Sequence, residues 1–243
     1  DLWVSDNASA ICDYGQINTW NVSAINDFTD LFRDKTTFND DISSWNVSNV
    51  TSMFRTFYGA SAFNKPLNNW NVSNVINMIS MFVNASSFNQ NISSWNVSSV
   101  NDMGGMFQYA SVFNQNISSW NVSNVTNMQG MFQFAYVFNQ PIGVWNVSSV
   151  TNMFAMFNNA SAFNQDISNW NVSNVTSMNS MLSGAGLSTT NYDLLLNGWS
   201  ALTVQPNVSF GAGTTKYSAA GQTARGDLTS SPNNWTITDG GII

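Results

Sequence analysis

The chain has 243 residues and a formal net charge of −7, yet only 8% of its residues are charged. It contains no histidine and one cysteine, which excludes histidine-based acid–base catalysis, intrachain disulfides and thiolate metal clusters. The six cations form no basic patch and no apolar run approaches the roughly 20 residues of a membrane span, so the sequence predicts neither nucleic-acid binding nor a membrane span.

The first 16 residues precede a repeat and differ from it in pattern. Leu2, Trp3 and Ile11 are apolar enough to cover the end of the first repeat unit. A stack of repeats leaves its core exposed at each end unless a different segment covers it. Residues 1–16 are therefore predicted to form an N-terminal cap.

Residues 17–191 consist of seven 25-residue units without insertion or deletion. Self-similarity at a fixed period is the sequence mark of a solenoid, in which each unit packs on its neighbours. We expect one tryptophan per unit to form a single interior column. These tryptophans are Trp20, Trp45, Trp70, Trp95, Trp120, Trp145 and Trp170.

Each unit changes its spacing along its length. Trp45 and Val47 alternate with polar residues, as in a short strand with one buried face. Met53, Phe57 and Ala60 follow at spacings of three and four, which indicates a helical or 3₁₀ segment. The predicted fold is a repeat solenoid of short parallel strands with short helical or 3₁₀ return arms, capped at both ends.

The tail, residues 192–243, has a different pattern. Residues 192–199 and 216–228 are predicted to be helical, and residues 208–210 and 235–237 to be strands. Because it follows the last unit and carries no catalytic motif, we predict that this segment is a C-terminal cap.

Two runs carry a family resemblance. The first, Ile42-x-x-Trp45-x-Val47-x-x-Val50, resembles the opening of a leucine-rich repeat, and the arm from Met53 to Phe63 resembles the BspA-like subclass. The unit as a whole is similar to a bacterial surface-protein repeat of about 25 residues. This chain departs from that repeat in having asparagine where aspartate is common. The resemblance implies a leucine-rich-repeat-like solenoid at the cell surface or outside the cell, acting as an adhesive or structural module.

An asparagine column beside the tryptophans, with its serine partners, is predicted to face outward on the sheet. Three interpretations stay open: a ladder of amides that bond one another, a binding face for a glycan or protein, and an ice-binding face. The candidate ligand-binding residues are Asn46, Asn71, Asn96, Asn121, Asn146, Ser48, Ser73, Ser98 and Ser123.

Apolar residues in the variable columns of units four and five form a second candidate site. If their arm is exposed, they form a protein-contact patch; the alternative is local packing. The residues are Tyr109, Val112, Phe134, Tyr136 and Val137.

The remaining predictions concern chemistry and partners. The aspartates near the N-terminus supply oxygen ligands but lack a calcium-loop spacing, so solvated charge is favoured over a calcium site. No cofactor, metal or catalytic residue is predicted. The expected role is an extracellular interaction module whose partner is a protein or glycan surface ligand; the alternative is a subunit of a homopolymeric surface filament. An enzyme is the competing class that the composition disfavours.

Overall fold

The computed structural model describes residues 2–243. Two short helices, α1 and α2, open the chain, and two helices and two strands close it. The elements are α1 (Leu2–Ser5), α2 (Asn7–Tyr14), 3₁₀ turns at Ile17–Thr19 and Ile142–Val144, α3 (Thr189–Ser200), β1 (Ser209–Gly211), α4 (Ala219–Thr229) and β2 (Thr236–Thr238).

Between α2 and α3 the 25-residue units form coils that lie on one another in register. Each coil is joined to the next by one parallel bridge at a polar position, and the bridge recurs every 25 residues. The bridged residues are Asp27, Ser52, Asn77, Asp102, Asn127, Asn152 and Ser177.

The segment after each bridge, which we call the bridge arm (residues 51–60 and equivalents), alternates two kinds of hydrogen bond. The N–H groups of Met53 and Arg55 donate across to the carbonyls of the next coil at 2.9 and 3.0 Å. The intervening N–H of Thr56 instead closes a local turn onto the carbonyl of Met53 at 3.2 Å. In coils one to six, therefore, the N–H groups that cross from this arm after the bridge point to the following coil, whereas the N–H of Thr51, before the bridge, donates to the carbonyl of Asn26 in the preceding coil at 2.8 Å.

The placement of secondary structure inside the unit differs from the prediction. Trp45 and Val47 form no strand, the bridge lies at Ser52, and the arm that follows is a series of turns. The reason is a left-handed backbone at two positions of each arm, such as Arg55 at φ 53° and Gly59 at φ 70°. Left-handed residues interrupt a helix, so hydrogen bonding to the neighbouring coil replaces the i to i−4 pattern.

The core consists of apolar columns that run the length of the stack. Each tryptophan from Trp45 to Trp170 is at most 5% exposed, so the prediction of an interior column is confirmed for six of the seven tryptophans. Trp20, in the first coil, is only partly buried. The indole Nε1 of Trp95 donates to the carbonyl of Leu67 at 2.9 Å. The same bond, to a carbonyl 28 residues earlier, recurs in every unit from Trp45 to Trp170.

The spacing between equivalent rings shows that the coils fan out. The ring centroids of Phe57 and Phe82 are 5.4 Å apart, whereas those of Trp95 and Trp120 are 6.3 Å apart. Backbones joined by parallel bridges lie about 4.8 Å apart. Since equivalent points separate more widely away from the bridges, the bridge side is the narrow side of the stack and the tryptophan side is the wide one.

The two ends are closed to different extents. At the C-terminal end, β1 forms a parallel bridge with the last bridge arm at Met178 and pairs in parallel with β2. Trp199 of α3 is completely buried and donates to the carbonyl of Ile167 at 3.4 Å. It thus continues the pattern of hydrogen bonds that the repeat tryptophans make. The tail elements agree in type with the prediction. At the N-terminal end, Trp3 packs edge-on against Trp20 at 5.5 Å.

Candidate interaction surfaces

The predicted asparagine column lies on the wide side, next to the tryptophans, and is exposed. Asn46 accepts a hydrogen bond at Oδ1 from the N–H of Ser48 at 3.1 Å, a turn within its own coil. Every copy of this asparagine does the same. The hypothesis that these amides bond to their copies in neighbouring coils is therefore wrong, because the turn geometry occupies their oxygens. The Nδ2 groups of Asn46 and its equivalents have no protein partner among residues 2–243.

The backbone carbonyls of the serine partners accept hydrogen bonds from the next coil, which the sequence did not indicate. Asn74 Nδ2 donates to the carbonyl of Ser48 at 2.7 Å, and Ser99 Oγ donates to the carbonyl of Ser73 at 2.8 Å. The side chain of the residue directly after the serine, such as Asn74 or Ser99, thus donates a hydrogen bond to the serine carbonyl of the preceding coil. The outward amides of the Asn46 column remain candidate ligand-binding groups, whereas the serine carbonyls are already occupied.

A second asparagine column, which we call the amide ladder (Asn39, Asn64, Asn89, Asn114, Asn139 and Asn164), does bond between coils. Asn89 Oδ1 accepts from the N–H of Asn114 at 3.0 Å and from Nε2 of Gln115 at 2.9 Å. Both donors belong to the next coil. This column therefore fixes the closing turns and offers little free polar surface.

Three of the five apolar residues predicted as a contact site are in ring contact, the other two are exposed, and we call the five the aromatic patch. The rings of Tyr109 and Phe134 stack at 4.4 Å with 7° between their planes, and Tyr136 meets Phe134 edge-on at 6.2 Å. Val112 and Val137 are 41% and 42% exposed. The patch is thus a partly exposed apolar cluster that contains stacked aromatic rings.

The backbone under the patch is unfavourable for these side chains. Tyr109 and Phe134 both lie at φ 59°, a left-handed conformation that costs a bulky residue about 1–2 kcal/mol. Other units have Gly59, Asn84 and Asn159 in the same column, residue types that adopt this conformation readily. The two aromatic residues therefore occupy their positions against the local backbone preference.

A polar depression on the bridge arms of coils four and five was missed by the sequence analysis. We call it the trough and define it by Gly104, Gly105, Gly130, Gln108, Gln133 and Phe154; its volume is about 200 Å³. Its signal in the sequence is a glycine pair, Gly104–Gly105, where other units carry Phe54–Arg55 or Ile79–Ser80.

Amides whose orientations are fixed by one another line the trough. Gln108 Nε2 donates to Gln133 Oε1, and Gln133 Nε2 donates to Asn158 Oδ1 at 3.2 Å. Asn127 Nδ2 donates to the carboxylate of Asp102 at 3.0 and 3.1 Å. Gln108 Oε1 and the second N–H of each glutamine have no protein partner in the described chain, so they are available to a ligand.

The acidic residues near the N-terminus are engaged separately. Asp30 accepts from Arg55 at 2.8 Å, and Asp40 accepts from the indole of Trp3 at 2.8 Å. Hydrogen bonds from Thr29 and Ser43 lower the pKa values of Asp27 and Asp41, respectively. Among residues 2–243 there is no group of three or more acidic or cysteine side chains placed to hold a metal ion.

Residues 2–243 contain no helix that is both long and apolar enough to cross a membrane.

In a comparison with known families, the family model described as "Mycoplasma protein of unknown function, DUF285" matches residues 4–111 and 89–199, which together span residues 4–199. No curated protein and no solved structure matches the chain.

Proposed function

Since the chain belongs to the family described as "Mycoplasma protein of unknown function, DUF285", we propose that it is a leucine-rich-repeat-like solenoid of the BspA-like type. It acts outside the cell or on its surface as an adhesive or structural interaction module. The stacked coils, their parallel bridges and the resemblance to bacterial surface repeats support this proposal. The protein is not an enzyme in this proposal, since histidine is absent and no catalytic constellation is found in the described chain.

One observation carries the choice of surface: Tyr109, 38% exposed, stacks on the partly exposed Phe134 although the backbone at both positions disfavours aromatic residues. Strain retained at a surface position is an argument for function there. Apolar, aromatic-rich clusters are typical of the centres of protein interfaces. We therefore propose that the aromatic patch is a protein-contact site, with a second copy of the chain as the contact to test first.

The test is the double substitution Tyr109→Asn with Phe134→Asn, measured by size-exclusion chromatography with light scattering. Asparagine already occupies this column at Asn84 and Asn159, so the variant keeps its fold and melts at the same or a higher temperature. Its association is expected to fall below that of the wild-type chain.

The matched control is Val144→Asn, because Val144 is 76% exposed and lies outside the patch. This variant is expected to associate as the wild-type chain does. A wild-type chain that stays monomeric, or a double variant that associates equally, contradicts the self-contact.

The N-terminal end supports the second candidate, a filament built end to end. Ile25 and Leu31 are 46% and 42% exposed, whereas their equivalents in the next coil, Val50 and Thr56, are 0% exposed. They border a cleft of about 640 Å³. This end is therefore an apolar face without a covering coil in the described chain.

The backbone hydrogen-bonding groups left open at the N-terminal end determine how successive copies could be oriented in such a filament. The carbonyls of Asp27, Thr29 and Leu31 accept no backbone N–H within residues 2–243, whereas the equivalent carbonyls of later coils do. Two such ends cannot pair with each other through these groups, because both present acceptors. We therefore expect a filament to be head to tail. Leu31→Asp is expected to abolish the filament and to leave association through the aromatic patch unchanged. Negative-stain imaging distinguishes a filament from association through the patch.

A further inference from the structure

The trough offers space that the fold does not need. Gly105 and Gly130 lie at φ 64° and 59°, where glycine is favoured. Gly104 has no left-handed backbone, and its column holds Phe54, Ile79 and Phe154 in other coils. Those coils tolerate a large side chain at this position. In coil four a Cβ at Gly104 would lie 3.1 Å from Asn127 Nδ2 and 3.2 Å from Asp102 Oδ1, so a larger residue requires these side chains to shift, and glycine leaves the space open.

The size of the space suits a small ligand. Its walls are Ile79 in coil three and Phe154 in coil six, three coil steps or about 14 Å apart along the stack. Its volume of about 200 Å³ is below the roughly 300–1,000 Å³ of sites for drug-sized molecules. The trough is thus of a size for a single sugar ring and excludes a folded partner.

The amide groups that line the trough suit a ligand that is neutral and carries hydroxyl groups. Primary amides both donate and accept hydrogen bonds, as sugar hydroxyls do. Gln108 offers a free oxygen and a free N–H, and Gln133 offers a free N–H, in orientations fixed by their mutual bond. Residues 92–191 contain no lysine or arginine, so no cation is near to balance an anionic ligand.

An aromatic ring completes the arrangement. Phe154 is 40% exposed at the end of the trough and presents an apolar surface beside the amides. A pyranose has one apolar face of C–H groups and a rim of hydroxyls, so it can contact the ring and the amides at once. We propose that the trough binds a neutral hexopyranose unit of a glycan, with Phe154 contacting the sugar face and Gln108 and Gln133 bonding its hydroxyls.

The experiment is saturation-transfer difference NMR on the full chain with four neutral probes, the methyl glycosides of glucose, galactose, mannose and N-acetylglucosamine. Methyl glucuronide serves as the anionic probe. At least one neutral probe is expected to give a signal, and the glucuronide a weaker one. Failure of all four neutral probes, or a stronger signal from the glucuronide, overturns the proposal.

Two variants assign the signal to the trough. Gly104→Ile installs the residue found at Ile79 and is expected to abolish it. Phe154→Ala is expected to weaken binding by about threefold to tenfold, from loss of the ring contact. Phe54→Ala, the same change in coil two, is the control and is expected to leave binding unchanged.

Thermal melting establishes that each variant is folded. If Gly104→Ile fails to fold, the comparison of Phe154→Ala with Phe54→Ala decides. Equal binding by those two variants, or undiminished binding by folded Gly104→Ile, overturns the assignment. The trough and the aromatic patch share no residue, so Tyr109→Asn with Phe134→Asn is expected to retain sugar binding.

Discussion

At the scale of single residues, the tryptophan column combines two contributions in one side chain. Trp95 fills the core, being 3% exposed, and its indole N–H satisfies a carbonyl of the preceding coil. The same carbonyl also accepts the N–H of Trp70 at 3.0 Å, so the indole supplies its second hydrogen bond, and a typical hydrogen bond contributes about 0.5–1.5 kcal/mol. From Trp45 to Trp170, burial of the ring is thus coupled to a hydrogen bond with the preceding coil.

Two substitutions at Trp95 separate these contributions. Trp95→Phe keeps most of the apolar volume and removes one of the two hydrogen bonds at the Leu67 carbonyl, which still accepts the N–H of Trp70 at 3.0 Å. We therefore expect a loss of about 0.5–1.5 kcal/mol in the free energy of unfolding. Trp95→Ala adds a cavity and is expected to cost about 3–5 kcal/mol. Urea denaturation measures both. No loss for Trp95→Phe would show that the hydrogen bond contributes nothing, and equal losses for the two variants would show that the cavity contributes nothing.

The two asparagine columns provide a matched comparison. Asn89 Oδ1 holds two donors of the next coil, whereas Asn96 Oδ1 holds one N–H of its own coil and is exposed to solvent. We expect Asn89→Ala to lower the free energy of unfolding by about 1–3 kcal/mol and Asn96→Ala by less. A larger loss at Asn96, measured by the same denaturation, would contradict the structural role of the amide ladder.

At the scale of elements, the C-terminal cap is fixed by a polar cluster around α3. Tyr192 is completely buried and donates to Asp239 Oδ2 at 2.9 Å, and Arg225 Nε donates to the same oxygen at 2.7 Å. Asp193 accepts from the N–H and Oγ of Ser218 at the start of α4. These bonds tie α3, α4 and the segment after β2 into one unit.

The cluster makes stability sensitive to alkali. Burial, followed by the charge of Asp239, raises the pKa of Tyr192 above the usual value of about 10. The folded chain holds the phenol proton more tightly than the unfolded chain, so the free energy of unfolding falls as pH rises above about 10. Tyr192→Phe removes this titration and is expected to reduce the slope in that range.

Denaturation midpoints at a series of alkaline pH values measure the effect. Tyr136→Phe is the control, because Tyr136 is 46% exposed. An unchanged slope in Tyr192→Phe would exclude the buried phenol as its source. Between about pH 5 and 9, the absence of histidine predicts a nearly flat stability profile.

At the scale of the whole molecule, the coils depend on their neighbours alone. Every bond between coils joins residues about one unit apart, and the bridges are strictly 25 residues apart. Such a stack behaves as a one-dimensional array whose stability is a sum of unit and interface terms. Removal of a whole unit therefore preserves every remaining register.

Deletion of residues 92–116 tests this property. Asn91 then precedes Ile117 much as Asn116 does in the intact chain, and we expect a folded protein with a moderately lower melting temperature. Deletion of residues 92–104 breaks the register and is expected to abolish cooperative unfolding. Circular dichroism melts compare the two, and a folded half-unit deletion would contradict the stacking of coils in register.

The sequence by itself determined the period, the interior columns and the types of the tail elements, because identical apolar residues at a fixed spacing have one efficient way to be buried together. It also placed the aromatic patch, since Tyr109 and Phe134 are departures from otherwise polar positions. It did not locate the bridge, because the deciding feature is a left-handed backbone at residues such as Arg55 and Ala155, types that rarely adopt it.

The partners of the amides were likewise decided only by tertiary structure. The Asn46 and Asn89 columns have the same residue type and the same period, yet one bonds within its coil and the other between coils. The difference follows from the direction of each turn relative to the stack axis, which no single unit specifies. The trough exists for the same reason: three glycines and two glutamines from successive units become one site only when the coils lie on one another.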